Sequence, residues 1–273
     1  MKKLFTKEEI DGVIYNYTIL KQGRKKAGEP FGLSEKQVKR LLEENDIELR
    51  HINTRPNGGT RTYNIDDDYF DEQGSNIAYI LGLWAADGNV HKTENRLDLE
   101  LASCDMEILE KIKEELKSER SIKVYQCANG YEKNKLLFWS SKIKKVFISY
   151  GIVPNKTYSK DFSLPYNLDK KYWIDYIRGF FDGDGCIKKT GYSITFELNS
   201  INHSFLKGIQ NFFEEYYQIT TQITTTGGEG TCRNVPMYRL YCYGDMARKV
   251  FNHLYTPNSL YLKRKHDKWL ELL

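Results

Sequence analysis

The chain has 273 residues, of which 40% are hydrophobic and 29% are charged, a balance typical of a folded globular protein and not of a disordered or fibrous one. Lys and Arg exceed Asp and Glu by only four, so the net charge alone does not identify a partner. No apolar run approaches the ~20 residues of a membrane-spanning helix, and the basic N-terminus lacks the apolar segment of a signal peptide, so we expect a cytoplasmic protein without a membrane partner.

Residues 1–62 carry the whole positive surplus, with 13 Lys and Arg against 9 Asp and Glu. The spacing of apolar residues predicts a helix over Lys7–Leu20. A second helix is predicted after Ser34, which stands at an N-cap position and forms a capping box with Gln37. Two helices joined by a turn predict a small helical domain of the helix-turn-helix kind.

In this second helix the cations Lys36, Lys39 and Arg40 are expected to be exposed, so we predict that they bind DNA. The alternative is a helical pair that only packs. Pro30 departs from the pattern because it disrupts the end of the preceding helix. His51–Thr62 is basic and rich in glycine, and we expect a flexible arm there.

An internal repeat dominates the rest of the chain. A shift of 97 residues superimposes Asp87 on Asp184 and Gly88 on Gly185. The alternating apolar positions that follow each pair also coincide, and so do those of the next amphipathic segment. Because helix-period and strand-period positions match together, we predict two copies of one structural unit, over 75–165 and 172–273.

Each copy is predicted to contain a helix, a hairpin, a helix, a hairpin and a helix, which is an α+β unit. The first copy has helices at Ile77–Ala86, Met106–Leu116 and Lys144–Tyr150, with strands within Arg96–Ser103 and Lys123–Trp139. The second copy has helices at Trp173–Phe181, His203–Tyr216 and Met246–Leu254, with strands within Ser193–Ser200 and Ile219–Tyr243. Gly151–Pro165 is predicted to be a linker. Strict alternation leaves one polar sheet face, occupied by Asp98, Glu100, Thr195 and Glu197.

The first helix of each copy has small residues four positions apart, which lie on one helix face. These are Gly82 with Ala86, and Gly179 with Gly183. Helices with such faces can approach more closely than the usual ~8–10 Å. We therefore expect the two helices to pack against each other about a pseudo-twofold axis.

Asp87 and Asp184 follow this face at the helix C-terminus, and the glycine after each is expected to supply the helix-ending conformation. A carboxylate there opposes the helix dipole, and two close carboxylates repel each other. A divalent cation between them relieves both effects, and oxygen ligands favour Mg²⁺. The alternative is a pair of ordinary Asp-Gly helix ends, which the repetition of the pattern disfavours.

The segments 80–88 (ILGLWAADG) and 177–185 (IRGFFDGDG) resemble the motif of the LAGLIDADG homing endonucleases. Residues 31–47 are similar to the helix-turn-helix that precedes some bacterial and phage members. The resemblance implies two pseudosymmetric αββαββα units that form a saddle on DNA. It also implies metal-dependent cutting of both strands. The first motif departs at Ala85, where the family has an acid, while Asp87 keeps the position that matters for catalysis.

The resemblance also implies roles for individual residues. Asp87 and Asp184 are expected to be catalytic and to hold Mg²⁺, or Mn²⁺ in its place, together with the adjacent Ala86 and Gly183. Lys142 matches a lysine that the family often has after the second hairpin, and Met246 at the equivalent place makes this role one-sided. On the strands, Arg96, Lys188 and Arg239 are expected to contact DNA. Glu100 and Glu197 are interpreted as DNA-face or structural residues, not metal ligands.

The predicted partner is double-stranded DNA with a long asymmetric site, bound by a monomer because both copies lie in one chain. Two other functions stay open at this point. One is a DNA-binding regulator of the same fold without cleavage, which the presence of both aspartates disfavours. The other is an intron maturase, and RNA binding is not excluded.

Overall fold

The computed structural model describes residues 4–20, 22–49, 63–128, 130–155, 162–191, 193–226 and 236–272. The chain divides into two compact units. The N-terminal unit comprises residues 1–65 with 117–120, and the core unit comprises residues 66–116 with 121–273.

In its described part, the N-terminal unit has three α-helices: α1 (Lys7–Thr18), α2 (Arg24–Gly28) and α3 (Glu35–Glu44). The predicted capping box is present, since the Ser34 side chain accepts from the Gln37 amide and Gln37 accepts from the Ser34 amide. Pro30 lies in a single 3-10 turn, Glu29–Phe31, that ends α2. A small apolar core holds the helices together, with Val13, Tyr17, Ala27, Leu33, Val38, Leu41 and Leu42 buried in it. The predicted arm, His51–Thr62, lies outside the described residues.

The core unit contains the predicted repeat. Its first copy consists of α4 (Ser75–Asp87), β1 (Gly88–Val90), β2 (Arg96–Ala102), α5 (Met106–Glu115), β3 (Lys123–Gln126), β4 (Glu132–Trp139) and α6 (Ser141–Ser149). Its second copy consists of α7 (Trp173–Asp184), β5 (Gly185–Thr190), β6 (Ser193–Ser200), α8 (His203–Tyr217), β7 (Gln222–Thr226), β8 (Met237–Tyr243) and α9 (Asp245–Leu254). The predicted αββαββα order is thus confirmed in both copies.

Each copy builds a four-stranded antiparallel sheet, with strand orders β1-β2-β4-β3 and β5-β6-β8-β7. The alternation in β2 buries Leu97, Leu99 and Leu101 on one face of the first sheet, and leaves the charged residues between them partly exposed on the other. The same pattern in β6 gives the second sheet an apolar and a polar face. Each copy therefore covers one sheet face with helices and leaves a polar face for other contacts.

Helices α4 and α7 are apolar around most of their circumference because they pack at the centre of the core unit. Residues Ile77 to Ala85 of α4 are buried without interruption, as are Asp175 to Asp182 of α7. None of the helices in the described part of the chain combines the length and the apolar character needed to cross a bilayer.

A further helix, α10 (Lys263–Leu270), follows the second copy and was not predicted as a helix. Its sequence, KRKHDKWL, is strongly charged, so it shows no apolar stripe. Its buried residues are Trp269, whose ring lies 4.9 Å from that of Phe251, and Lys265. The helix is held in place by ring contacts of Trp269 and His266 and by charged side chains, which periodicity does not detect.

Candidate active site

The candidate site begins with the close approach of α4 and α7. A Cβ atom placed on Gly82 would lie 1.9 Å from the carbonyl oxygen of Tyr176, and one on Gly179 would lie 2.0 Å from that of Tyr79. Real side chains do not tolerate such distances from a backbone atom. The two glycines therefore set the separation of the helices, and each meets the backbone of the other helix.

One turn further along, the same contact reaches the aspartates. A Cβ atom on Gly183 would lie 2.5 Å from the Cβ of Ala86 and 2.8 Å from Oδ2 of Asp87. The carboxylate of Asp87 thus lies against the opposite helix, beside the residue that precedes Asp184. The structure brings Ala86, Asp87 and Gly183 together at the end of the helix pair, with Asp184 next in the chain.

Asp87 and Asp184 are the last residues of α4 and α7, and both are exposed. The glycine after each was expected to adopt a special helix-ending conformation, and this expectation is wrong. Gly88 and Gly185 have φ of −79° and −78°, an extended backbone that any residue can adopt. Glycine is needed for space, since a Cβ would lie 2.1 Å from the Trp84 ring in one copy and 2.1 Å from the Phe181 ring in the other.

Each aspartate opens onto its own cavity, and the two cavities differ in charge. The Asp87 cavity, of about 430 Å³, is lined by Gly183 of the other helix and by charged residues that include Glu100, Asp105, Lys133 and Arg264. The Asp184 cavity, of about 320 Å³, is lined by Ala86 of the other helix and, apart from Asp184, by uncharged residues that include Phe162, Asn199 and Asn202. The pseudosymmetry of the backbone therefore does not extend to the charge around the two aspartates.

The polar sheet faces carry the predicted strand cations, each of which contacts an acid. Arg96 donates from Nε to Asp98 at 3.1 Å, and Lys188 donates to Glu197 at 2.8 Å. Arg239 lies 3.9 Å from the same Glu197 oxygen and stacks on the Tyr241 ring, with its guanidinium carbon 4.4 Å from the ring centroid. All three cations remain partly exposed.

The glutamates of these faces hold cations in position. The partial burial of Glu100 raises its pKa. The hydrogen bonds from Lys135, Tyr125 and Lys133 have the larger combined effect and lower that pKa to about 2. Glu197 lies on the polar face as predicted, and it is buried there because Lys188 and Arg239 cover it. Burial raises the pKa of Glu197, and the hydrogen bonds from Lys188 and Asn199 lower it further than burial raises it.

Comparison with known families identifies the repeat. A family model described as "LAGLIDADG-like domain" matches residues 75–148 and 174–255, together more than half of the chain. The chain belongs to the LAGLIDADG-like family. The two matched stretches fall within the two copies, and each begins in the first turn of one of the two central helices.

The solved structures that match this chain are distant in sequence. The N-terminal LAGLIDADG domain of DUF199/WhiA is 15% identical, with a TM-score of 0.45 over 76% of this chain and 93% of that one. Full-length DUF199/WhiA from Thermatoga maritima is 16% identical, with a TM-score of 0.45 over 76% of this chain and 63% of that one. The homing endonuclease I-WcaI bound to its DNA recognition sequence is 13% identical, with a TM-score of 0.46 over 73% of this chain and 90% of that one. A search of curated proteins gave no match.

The sixth position of the two LAGLIDADG motifs, Ala85 and Asp182, differs in the contacts that its side chain can make. In the second motif Asp182 is fully buried and accepts hydrogen bonds from Tyr79 at 2.8 Å, Tyr255 at 2.7 Å and the Leu262 amide at 2.7 Å. Burial raises its pKa to about 6, although these hydrogen bonds oppose the shift. Asp182 thus joins α4, α7 and the C-terminal segment, whereas Ala85 in the first motif has a side chain that cannot accept a hydrogen bond.

Lys265 of α10 is a buried cation that sequence reasoning missed. Its ammonium group donates to the carbonyl oxygen of Phe181 at 3.1 Å and to that of Gly185, both at the C-terminal end of α7. Burial is the main cause that lowers its pKa to about 8. A cation at this end complements the helix dipole that Asp184 opposes. Because Lys265 lies in a strongly charged segment, the sequence does not indicate that this lysine is buried.

Lys142, the predicted catalytic lysine, lies at the start of α6. Its ammonium group donates to Asp68 at 2.6 Å and to Asp71, and these hydrogen bonds raise its pKa to about 12. Among the described residues, those that line the Asp87 and Asp184 cavities do not include Lys142. The structure therefore does not bring Lys142 to either aspartate, and its catalytic role stays a prediction.

The predicted DNA-binding cations of the N-terminal unit lie on α3. Lys36 and Lys39 are exposed, and Lys39 pairs with Glu43 one turn later at 3.5 Å. Arg40 is more buried, because it pairs with Glu44 at 3.3 Å and its guanidinium carbon lies 4.4 Å from the Phe5 ring centroid. Lys36 and Lys39 are thus presented to solvent, while Arg40 takes part in packing.

Proposed function

We propose that this protein is a site-specific double-strand DNA endonuclease that acts with a divalent metal ion. The observation that carries the proposal is the pairing of Asp87 and Asp184. Both carboxylates are exposed at the same end of a helix pair that glycines hold in backbone contact. A fold gains no stability from two acids at helix C-termini, which supports a role in chemistry.

The donor set at the helix ends fits Mg²⁺. The described residues contain no group of three or more His, Cys, Asp or Glu side chains arranged for a metal ion. Mg²⁺ keeps several waters and is commonly held by one or two carboxylates together with substrate phosphates, so two aspartates suffice. Asp87 and Asp184 would hold the ion, with Ala86 and Gly183 as the neighbouring backbone, and Mn²⁺ would substitute.

The residues of the chain would position the substrate beside the ion. When bound, Mg²⁺ supplies charge stabilisation and an activated water for phosphodiester hydrolysis. Asp87 and Asp184 would hold the ion from opposite helices, which the glycine contacts keep close together. The small residues beside each aspartate leave room for a phosphate backbone to approach.

The polar sheet faces are the proposed DNA-binding surface. The major groove of B-DNA admits a β-ribbon, and Arg and Lys read guanine edges or bind phosphates there. Arg96, Lys188 and Arg239 lie on these faces and are partly exposed. Both copies lie in one chain and carry different residues on their strands, so we propose that a monomer binds a long asymmetric site.

Selection from random DNA sequences tests the proposal for any target site. A library of random-sequence duplexes is incubated with the purified chain in Mg²⁺ or in EDTA, and double-strand breaks are captured and sequenced. We expect one enriched sequence in Mg²⁺ and none in EDTA. The matched control is the Asp87→Asn/Asp184→Asn double variant, which should enrich no sequence for cutting.

Enrichment for binding without cutting would instead indicate a DNA-binding regulator of the same fold. Enrichment of neither would contradict DNA as the partner, and a parallel selection with structured RNA would then test a maturase role.

A further inference from the structure

We infer that Arg264 binds the phosphate of the DNA strand cut on the Asp87 side, so that the two strands are cut by unequal half-sites. The inference rests on the proposed nuclease function. Its starting point is the charge difference between the two cavities. Arg264, from the helix α10 that follows the second copy, lines the Asp87 cavity, whereas the described residues lining the Asp184 cavity include no cation.

Arg264 is held in a defined orientation. Its Nε lies 3.0 Å and 2.9 Å from the two carboxylate oxygens of Asp105, which is 2% exposed, while the arginine side chain is 43% exposed. A buried carboxylate that contacts only Nε fixes the guanidinium plane. The two terminal amino groups donate to no side chain or backbone oxygen in the described part of the chain.

These features match what a phosphate requires. A guanidinium group offers paired donors that fit phosphate oxygens, and the donors are already oriented. Lys133, the other cation of the cavity, is bound to Glu100 at 2.9 Å. Arg264 keeps both terminal amino groups for a ligand in a fixed plane, which the flexible ammonium group of Lys133 does not offer. It lines the same cavity as Asp87, so it would stabilise the developing charge on a scissile phosphate held there.

A purely structural role for Arg264 predicts a different effect on the cutting rates of the two strands. If Arg264 only neutralises Asp105, its loss would loosen α10 and affect both strands alike, or lower stability alone. If it binds a phosphate, its loss slows the cutting of one strand. Strand-resolved rates therefore separate the two roles.

The test uses a duplex selected for cutting by the wild-type chain, placed in a supercoiled plasmid, at saturating protein so that binding does not limit the rate. In Arg264→Gln we expect one strand to be cut about 10- to 100-fold more slowly, the loss typical of a charge-assisted hydrogen bond, while the other strand is cut at nearly the wild-type rate. Nicked circles should accumulate. Arg264→Lys should restore part of the loss.

Lys263→Gln is the matched control, because Lys263 is the neighbouring cation of α10 and pairs with Asp267 on the surface. We expect it to cut both strands normally. If Arg264→Gln fails to fold because Asp105 is left buried, Asp105→Asn/Arg264→Gln removes both charges, and the same strand preference is expected there.

Equal slowing of both strands, or normal cutting of both by a folded variant that lacks Arg264, would overturn the inference. A wild-type chain that cuts no duplex would refute the proposed function itself, and that result is visible before any Arg264 variant is measured.

Discussion

At the scale of single residues, the candidate site depends on glycines, whose lack of a side chain permits close contacts, as much as on the two aspartates. Gly82 and Gly179 meet the opposite backbone, Gly183 meets Asp87, and Gly88 and Gly185 each lie under an aromatic ring. None of these glycines is needed for an unusual backbone angle. Each one makes room for a close contact, and together the contacts place the aspartates.

Replacing Gly179 by alanine should destabilise the core unit. The added Cβ would lie 2.0 Å from the Tyr79 carbonyl oxygen, so the helices must separate. We expect the free energy of unfolding to fall by about 3 kcal/mol, at the upper end for overpacking, in urea unfolding followed by circular dichroism. Gly74→Ala is the control because no atom lies within 4 Å of its added Cβ. Equal stability of the two variants would contradict the account.

Asp182 should be required for stability. Asp182→Ala leaves the Tyr79 and Tyr255 hydroxyls and the Leu262 amide without their acceptor, so we expect a loss of about 3 kcal/mol or more in the free energy of unfolding. Asp182→Asn keeps the shape and one acceptor oxygen, and its loss should be smaller. Both are measured by urea unfolding. A wild-type midpoint for the alanine variant would show that this network contributes nothing.

At the scale of elements, periodicity was enough to predict the fold and not enough to predict the surroundings of the site. The apolar alternation of β2 and β6 and the stripes of α5 and α8 each reflect a half-buried element, so their bounds are close to those predicted. Helix α10 has no such stripe, because charged residues hold it. Asp182, Lys265 and the Asp105–Arg264 pair are contacts between residues far apart in sequence, which no local pattern reveals.

Helix α3 of the N-terminal unit should add phosphate contacts if its exposed cations bind DNA. Each phosphate contact steepens the salt dependence of binding by about 0.9 in log–log slope. We predict that Lys36→Gln/Lys39→Gln flattens the slope by up to about two such steps for the selected duplex, measured by fluorescence anisotropy. Arg40 is left unchanged because it packs on Phe5.

An unchanged slope in that variant would mean that α3 only packs and that the helix-turn-helix interpretation is wrong. Lys7→Gln, which removes an exposed cation from α1, shows how much any charge loss in this unit contributes.

At the scale of the whole molecule, fusing two copies in one chain allows the copies to diverge. The central helices keep the glycines and the aspartates in both copies. The surroundings have changed, since one motif has Asp182 where the other has Ala85, and the helix that follows the second copy reaches the Asp87 cavity. A single chain can therefore present an asymmetric surface to an asymmetric partner while keeping a paired centre.

The central claim is that Asp87 and Asp184 together cut DNA with a divalent metal ion. The most direct measurement is double-strand cutting of the selected duplex in Mg²⁺ by Asp87→Asn and by Asp184→Asn, with binding of the same duplex measured in parallel. We predict that each single variant loses double-strand cutting by at least about 10³-fold, as expected for a lost metal ligand, and binds with nearly wild-type affinity. Wild-type cutting by either variant would contradict the claim.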